Sequence, residues 1–133
     1  MATIVLGLGA MGSATAYQLA LMGEEVIGFD RFHPPHDLGS THGDTRITRL
    51  AIGEGPQYVP LVKRSYQIWQ DLHTESGQEL LVQCGGLLLA NQGNPFLTGT
   101  RESARQYGVE LEELSTDLLS ERYPMFQLRP DTQ

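Results

Sequence analysis

Residues 3–30 read TIVLGLGAMGSATAYQLALMGEEVIGFD, and the fold follows from how this stretch changes period. Thr3 to Leu6 is a short apolar, β-rich run that ends at Gly7, as a buried parallel strand does. From Ala10 to Met22 the pattern is helical, with Gly12, Ala16, Leu19 and Ala20 on one face, small enough to let a helix approach a sheet closely. Gly23 stands where a C-cap belongs, and Glu25 to Asp30 supplies a second strand. Strand, helix and strand in this order predict a parallel βαβ unit, hence an α/β, Rossmann-like fold.

The turn between the first strand and the helix, Gly7-Leu8-Gly9-Ala10-Met11-Gly12, fits G-x-G-x-x-G. The pattern alone is weak; its place after a strand and at the start of a helix gives it meaning. Gly7 allows the tight turn, Gly9 clears the backbone for a pyrophosphate, and Gly12 permits close helix–sheet contact. The helix start at Ala10 and Met11 offers N–H groups and partial positive charge to phosphates. Asp30 ends the second strand, where a carboxylate accepts hydrogen bonds from the adenosine ribose. That acid repels a ribose phosphate and disfavours NADP, with Arg31 beside it pulling the other way. FAD and NAD share this fingerprint, so the loop itself leaves both open.

Composition sets the outer limits. A chain of 133 residues holds one ordinary domain, and 40% hydrophobic with 19% charged residues is a globular balance. No apolar run reaches the ~20 residues of a membrane-spanning helix, and the N-terminus lacks a basic, cleavable leader pattern. A cytoplasmic protein without membrane contact is the expectation. Cys84, the single cysteine, excludes an internal disulfide. The net charge of −7 argues against nucleic acid, yet residues 31–64 carry +2. A basic segment in an acidic chain points to an anionic ligand there.

Residues 33–57, with Pro34-Pro35 and several glycines, read as a long functional loop. A helix returns near Val59 with Pro60 in its first turn, an inner stripe of Leu61, Val62, Ser65, Ile68, Trp69 and Leu72, and Gly77 past its end. Leu80 to Gln83, Leu87 to Ala90 and Val109 to Leu114 read as strands. Asn94-Pro95 opens a helix to Tyr107 with Gly108 as its stop, and Ser115 caps a short last helix before Tyr123-Pro124. Cys84 is expected in the core and Lys63 as a solvated charge. His33, His36 and His42 lack the cysteine or carboxylate that would complete a metal site, so no metal is expected. A βαβ start wants a further parallel strand beside it, so the architecture reads as truncated.

Three segments carry a resemblance: Pro34-Pro35-His36, the run Gly39-Ser40-Thr41-His42-Gly43-Asp44-Thr45-Arg46-Ile47-Thr48-Arg49, and Gly53-Glu54-Gly55 before Tyr58-Val59-Pro60. Together they resemble the flavin-facing segment of the monomeric sarcosine oxidase and N-methyl-L-tryptophan oxidase family. H-G-D-T-R-x-x-R is the most specific part, and the likeness extends from the glycine loop to Arg122-Tyr123-Pro124. It implies an FAD enzyme, monomeric when complete, that oxidises the C–N bond of a secondary amine or N-methyl amino acid and reduces O2 to hydrogen peroxide. Arg49 matches the arginine that pairs with the substrate carboxylate, and Arg46 the arginine close to the isoalloxazine ring. His42 and Thr45 match residues beside the flavin, and Ser40 joins His42 and Arg46 among the cofactor-binding residues. The resemblance implies that residues 1–78 begin the FAD-binding domain and residues 79–133 begin a mixed α+β substrate domain. The family's flavin-linking cysteine and oxygen-activating lysine have no match in Cys84 or Lys63.

The chemistry of the residues agrees. Arginine's planar fork holds a carboxylate by two parallel hydrogen bonds. Arg46 and Arg49, three apart, would project from one face if residues 46–49 formed a helical turn. Two alternatives stand beside the oxidase: an NAD-linked dehydrogenase fragment, and a truncated product that binds no cofactor.

Overall fold

The computed structural model describes residues 1–43, 46–129 and 132, and the chain forms two compact units, Met1–Ile47 and Thr48–Gln133. In the first unit β1 (Thr3–Leu6) pairs in parallel with β2 (Val26–Phe29), and α1 (Ala10–Leu21) makes the crossover. The register sets Thr3 against Val26 and Leu6 against Phe29. Both strands therefore end at one level, and the Gly7 N–H donates to the Phe29 carbonyl at 2.7 Å. This is the α/β unit that the period change predicts.

The glycines of the turn do what their positions require. Gly7 has φ +87°, a conformation that a side chain would strain. A Cβ on Gly12 would overlap the Gly7 carbonyl and touch the Val5 side chain, so only glycine lets α1 begin directly against the end of β1. Val5 is the buried residue of β1, while Gly12, Ala16 and Leu19 are half-buried and Ala20 is exposed. One contact has no counterpart in the period argument: a Cβ on Gly28 would lie 2.7 Å from the Leu8 side chain. Leu8 thus folds over the gap that β2 leaves.

The second unit is helical. A single 3-10 turn at Pro56–Tyr58 leads into α2 (Val59–Ser76), followed by α3 (Pro95–Tyr107) and α4 (Thr116–Arg122). The caps are those expected. Asn94 accepts from the Phe96 N–H at 2.9 Å, and Ser115 from the Leu118 N–H at 3.3 Å; each satisfies a first-turn donor. Gly77 and Gly108 close α2 and α3 in the left-handed conformation. Buried here are Ile52, Val59, Leu97, Ala104 and Leu119, with Thr100 and Ser103 among them.

Several expectations are corrected. Leu80–Gln83, Leu87–Ala90 and Val109–Leu114 form no strands, and among the described residues the pairing outside β1 and β2 is one isolated antiparallel bridge, Asn91 to Thr132. A strand-like run becomes a strand only when a neighbouring edge takes its backbone groups, and among the described residues none pairs with these runs. Cys84 is exposed rather than in the core. The α2 stripe is narrower than its pattern: Leu61 and Trp69 are exposed, and Val62, Ser65, Ile68 and Leu72 half-buried. Lys63, instead of being merely solvated, donates to the Tyr107 carbonyl at 2.9 Å and lies over the Tyr107 ring. A cation at the last carbonyls of α3 also suits that helix dipole.

Close packing joins the 52–54 loop to α3. The buried Ser103 hydroxyl donates to the Ile52 carbonyl at 2.6 Å. A Cβ on Gly99 would overlap the Gly53 carbonyl, and one on Gly53 would lie 2.6 Å from the Phe96 ring. Gly99→Ala, which in an open helix gains about 1 kcal/mol, is therefore expected to destabilise this unit by about 1–3 kcal/mol through overpacking. A lower urea midpoint is the expected reading; a raised midpoint would show that no close backbone approach exists there.

Candidate functional site

Within the first unit, the glycine loop and the end of β2 meet at Asp30. Its Oδ2 accepts from the Leu8 N–H at 2.5 Å, and its Oδ1 from the Phe32 N–H at 3.0 Å. His36 Nε2 lies 3.2 Å from Oδ1, and the Leu38 N–H donates to His36 Nδ1 at 3.2 Å. The Asp30 side chain is only 10% exposed, so these donors take the place of water. Backbone N–H groups of Phe32 and Leu8, with His36 adding to them, hold the Asp30 carboxyl at about 2, below its ordinary 3.8.

The loop has the clearance that the glycine pattern implies. Among the described residues a Cβ on Gly9 would meet one side chain, the Thr41 hydroxyl, at 3.7 Å. Gly9 caps α1 with no side-chain hydrogen bond, leaving first-turn N–H groups to other acceptors. One of them, Ala10 N–H, points to Thr41 Oγ1 at 3.4 Å, an oxygen where a phosphate oxygen would serve. Ala10 and Met11 are exposed. An open glycine turn, a bare helix start and an ionised acid at the next strand end fit the ADP half of a dinucleotide.

Other expected residues are placed as follows. Arg31 is exposed, its guanidinium 5.3 Å from the Phe32 ring centre. Ser40 and His42 are exposed. Arg46 ends the loop in the same unit and lies against Gly43, where a Cβ would come within 3.1 Å of Nη1. Thr45 lies outside the described residues. Residues 46–49 form no helical turn, so the argument that three-residue spacing puts Arg46 and Arg49 on one face fails. The division between the compact units falls between Ile47 and Thr48, and Arg49 belongs to the second.

There Arg49 already holds a carboxylate. Its Nη2 donates to Glu54 Oε1 at 2.7 Å, and its guanidinium carbon sits 5.0 Å from the Phe96 ring centre. The Glu54 carboxyl is held below its ordinary range by a backbone N–H and by Arg49. The pair is partly exposed, so its net stabilisation is small. Its geometry is what matters: the guanidinium lies over an aromatic ring and directs Nη2 at an acid. Glu54 stands in one of the three segments that carry the resemblance, but neither it nor Phe96 has a role assigned from sequence. The available signals were an acid five positions after Arg49 and the costly glycine Gly99 inside α3, which marks a close backbone approach.

Among the described residues no three His, Cys, Asp or Glu side chains gather as metal ligands, and His36 is engaged with Asp30. No helix among them is long and apolar enough to cross a membrane.

A family model described as DAO, FAD dependent oxidoreductase, matches residues 2–132. The chain is similar to N-methyl-L-tryptophan oxidases of Yersinia pestis (strain Pestoides F) and Yersinia pseudotuberculosis serotype O:1b (strain IP 31758). Each is 41% identical over 128 residues, which is 96% of this chain and 34% of the relative. The chain thus spans about a third of the length of these curated relatives.

The depressed Asp30 carboxyl gives a pH signature. A group whose folded-state pKa lies below its unfolded value stabilises the fold fully above that unfolded value. For Asp30 this contribution is present above pH 3.8 and is lost as pH falls toward about 2. Urea midpoints measured across that window should fall more steeply for the wild type than for Asp30→Asn. Parallel profiles would mean that the carboxylate is not held by these donors.

Proposed function

The chain belongs to the FAD dependent oxidoreductase family, and on that premise we propose that the whole protein oxidises the C–N bond of a secondary amine or N-methyl amino acid. FAD is the cofactor of this family, which removes the NAD-linked alternative. In the proposed reaction the amine loses two electrons and two protons to become an imine, and O2 takes them up as hydrogen peroxide. FAD, when bound, supplies the two-electron acceptor that links these halves.

The observation that carries the reading is Arg49 paired with a carboxylate and backed by Phe96. Amino acid substrates bring such a carboxylate, and Arg is the side chain suited to hold it in a fixed orientation. Glu54 then acts as an internal stand-in: substrate displaces it from Arg49, and its own charge returns to water. The 41% identity to N-methyl-L-tryptophan oxidases supports the amine class, and the substrate's identity within that class is part of the proposal.

The remaining roles belong to the same proposal. Gly7, Gly9, Ala10, Met11 and Gly12 cradle the pyrophosphate, Asp30 takes a ribose hydroxyl, and Arg31 and Ser40 border the cofactor. Arg46 supplies a fixed positive charge toward the flavin ring, with His42 and Thr45 beside it. Residues 1–78 are the front of the FAD-binding domain and 79–133 the beginning of the substrate domain.

In the full-length protein Arg49→Ala should weaken binding of acetate-like inhibitors by roughly 2–5 kcal/mol while flavin stays bound. Glu54→Gln should strengthen the same binding, because the competing charge is gone. Unchanged inhibitor affinity in Arg49→Ala, measured by flavin absorbance titration, would defeat the clamp. Gly9→Val should give a colourless protein, since a branched side chain fills the space left for the pyrophosphate; full flavin absorbance in that variant would contradict the assignment of the loop.

A further inference from the structure

The Asp30 carboxylate has most of its acceptor positions filled before any ligand arrives. A carboxylate offers about four lone-pair positions, two on each oxygen. Oδ1 takes the Phe32 N–H and faces His36 Nε2, while Oδ2 takes the Leu8 N–H. His36 is itself oriented. Because the Leu38 N–H donates to Nδ1, the neutral ring carries its hydrogen on Nε2 and donates it to Oδ1. The Phe32 ring meets the imidazole edge-on, centroids 5.2 Å apart and planes at 72°, which restrains the ring from a second side. His36 is 17% exposed.

We propose that His36 is a positioning residue for the adenosine end of the site: its Nε2–H saturates Asp30 Oδ1, so that Oδ2 alone is open and accepts one ribose hydroxyl. This deepens the proposed function and rests on the reading of Asp30 as the ribose acceptor. A free carboxylate can span two vicinal hydroxyls, one on each oxygen. Here the second hydroxyl has no vacant acceptor on Asp30, because Phe32 and His36 occupy Oδ1. The two hydroxyls of the ribose are therefore unequal, and His36 maintains the inequality by keeping the carboxylate from turning.

The test uses full-length protein produced without flavin, titrated calorimetrically with ADP, 2′-deoxy-ADP and 3′-deoxy-ADP. In the wild type one deoxy analogue should bind about tenfold more weakly than ADP, as for loss of one hydrogen bond to a charged group. The other should stay within about twofold of ADP. His36→Gln, whose side-chain amide nitrogen reaches the place of Nε2, should retain that difference between the analogues. His36→Asn, too short to reach Oδ1, should bind ADP more weakly and treat the two analogues alike. Equal losses for both analogues in the wild type, or an unchanged difference in His36→Asn, would overturn the proposal. Asp30→Asn binding ADP as tightly as the wild type would instead remove the ribose reading itself. Should His36→Asn fail to fold, imidazole 15N shifts of the wild type decide: hydrogen on Nε2 is expected, and hydrogen on Nδ1 overturns the assignment.

Discussion

A carboxylate taken largely out of water must find donors, and the first unit is organised around where Asp30 finds them. The parallel register brings the ends of β1 and β2 to one level, so the nearest donor is the Leu8 N–H inside the glycine turn. The others are the Phe32 N–H and His36, both from the segment that follows β2. One anionic group thus joins the glycine turn to the start of the long loop. Its ionised form is the one these donors favour, and an ionised acid beside a bare helix start is what the adenosine half of a dinucleotide needs.

The second unit solves a different problem, which is to hold an arginine and a carboxylate in register on a loop without regular structure. It does so with small residues. Gly99 and Ser103 meet the 52–54 loop, with Thr100 and Ala104 buried on the same helix, and the Ser103 hydroxyl donates to the Ile52 carbonyl. The same helix supplies Phe96 beneath Arg49. Backbone contact, rather than a large apolar cluster, positions the pair.

The uneven charge of the chain has a local meaning in this light. Residues 31–64 are the basic part of an acidic protein, and two of their arginines flank the join between the compact units. Arg46 packs on Gly43 in the first unit, and Arg49 is matched by Glu54 in the second. For Arg49 the apparent excess of positive charge is answered internally, by Glu54.

Sequence by itself determined the βαβ unit and the caps of the later helices, because those depend on local period, on glycine and proline geometry and on side-chain oxygens two or three residues away; α1 instead ends at Leu21 with Met22 as its C-cap, one residue before the expected Gly23. It also pointed to Asp30 and the glycine turn, whose spacing along the chain already implies proximity once the strands are parallel. What it could not determine was anything that needs a partner distant in the chain. Leu80–Gln83, Leu87–Ala90 and Val109–Leu114 have the composition of strands, yet among the described residues no edge pairs with them. Cys84 has the pattern of a core residue and no core around it. Arg49 meets Phe96, and Gly53 meets Gly99, only because α3 folds back on the 52–54 loop. Composition records what a segment can bury or bond; tertiary structure alone decides which neighbour is there to receive it.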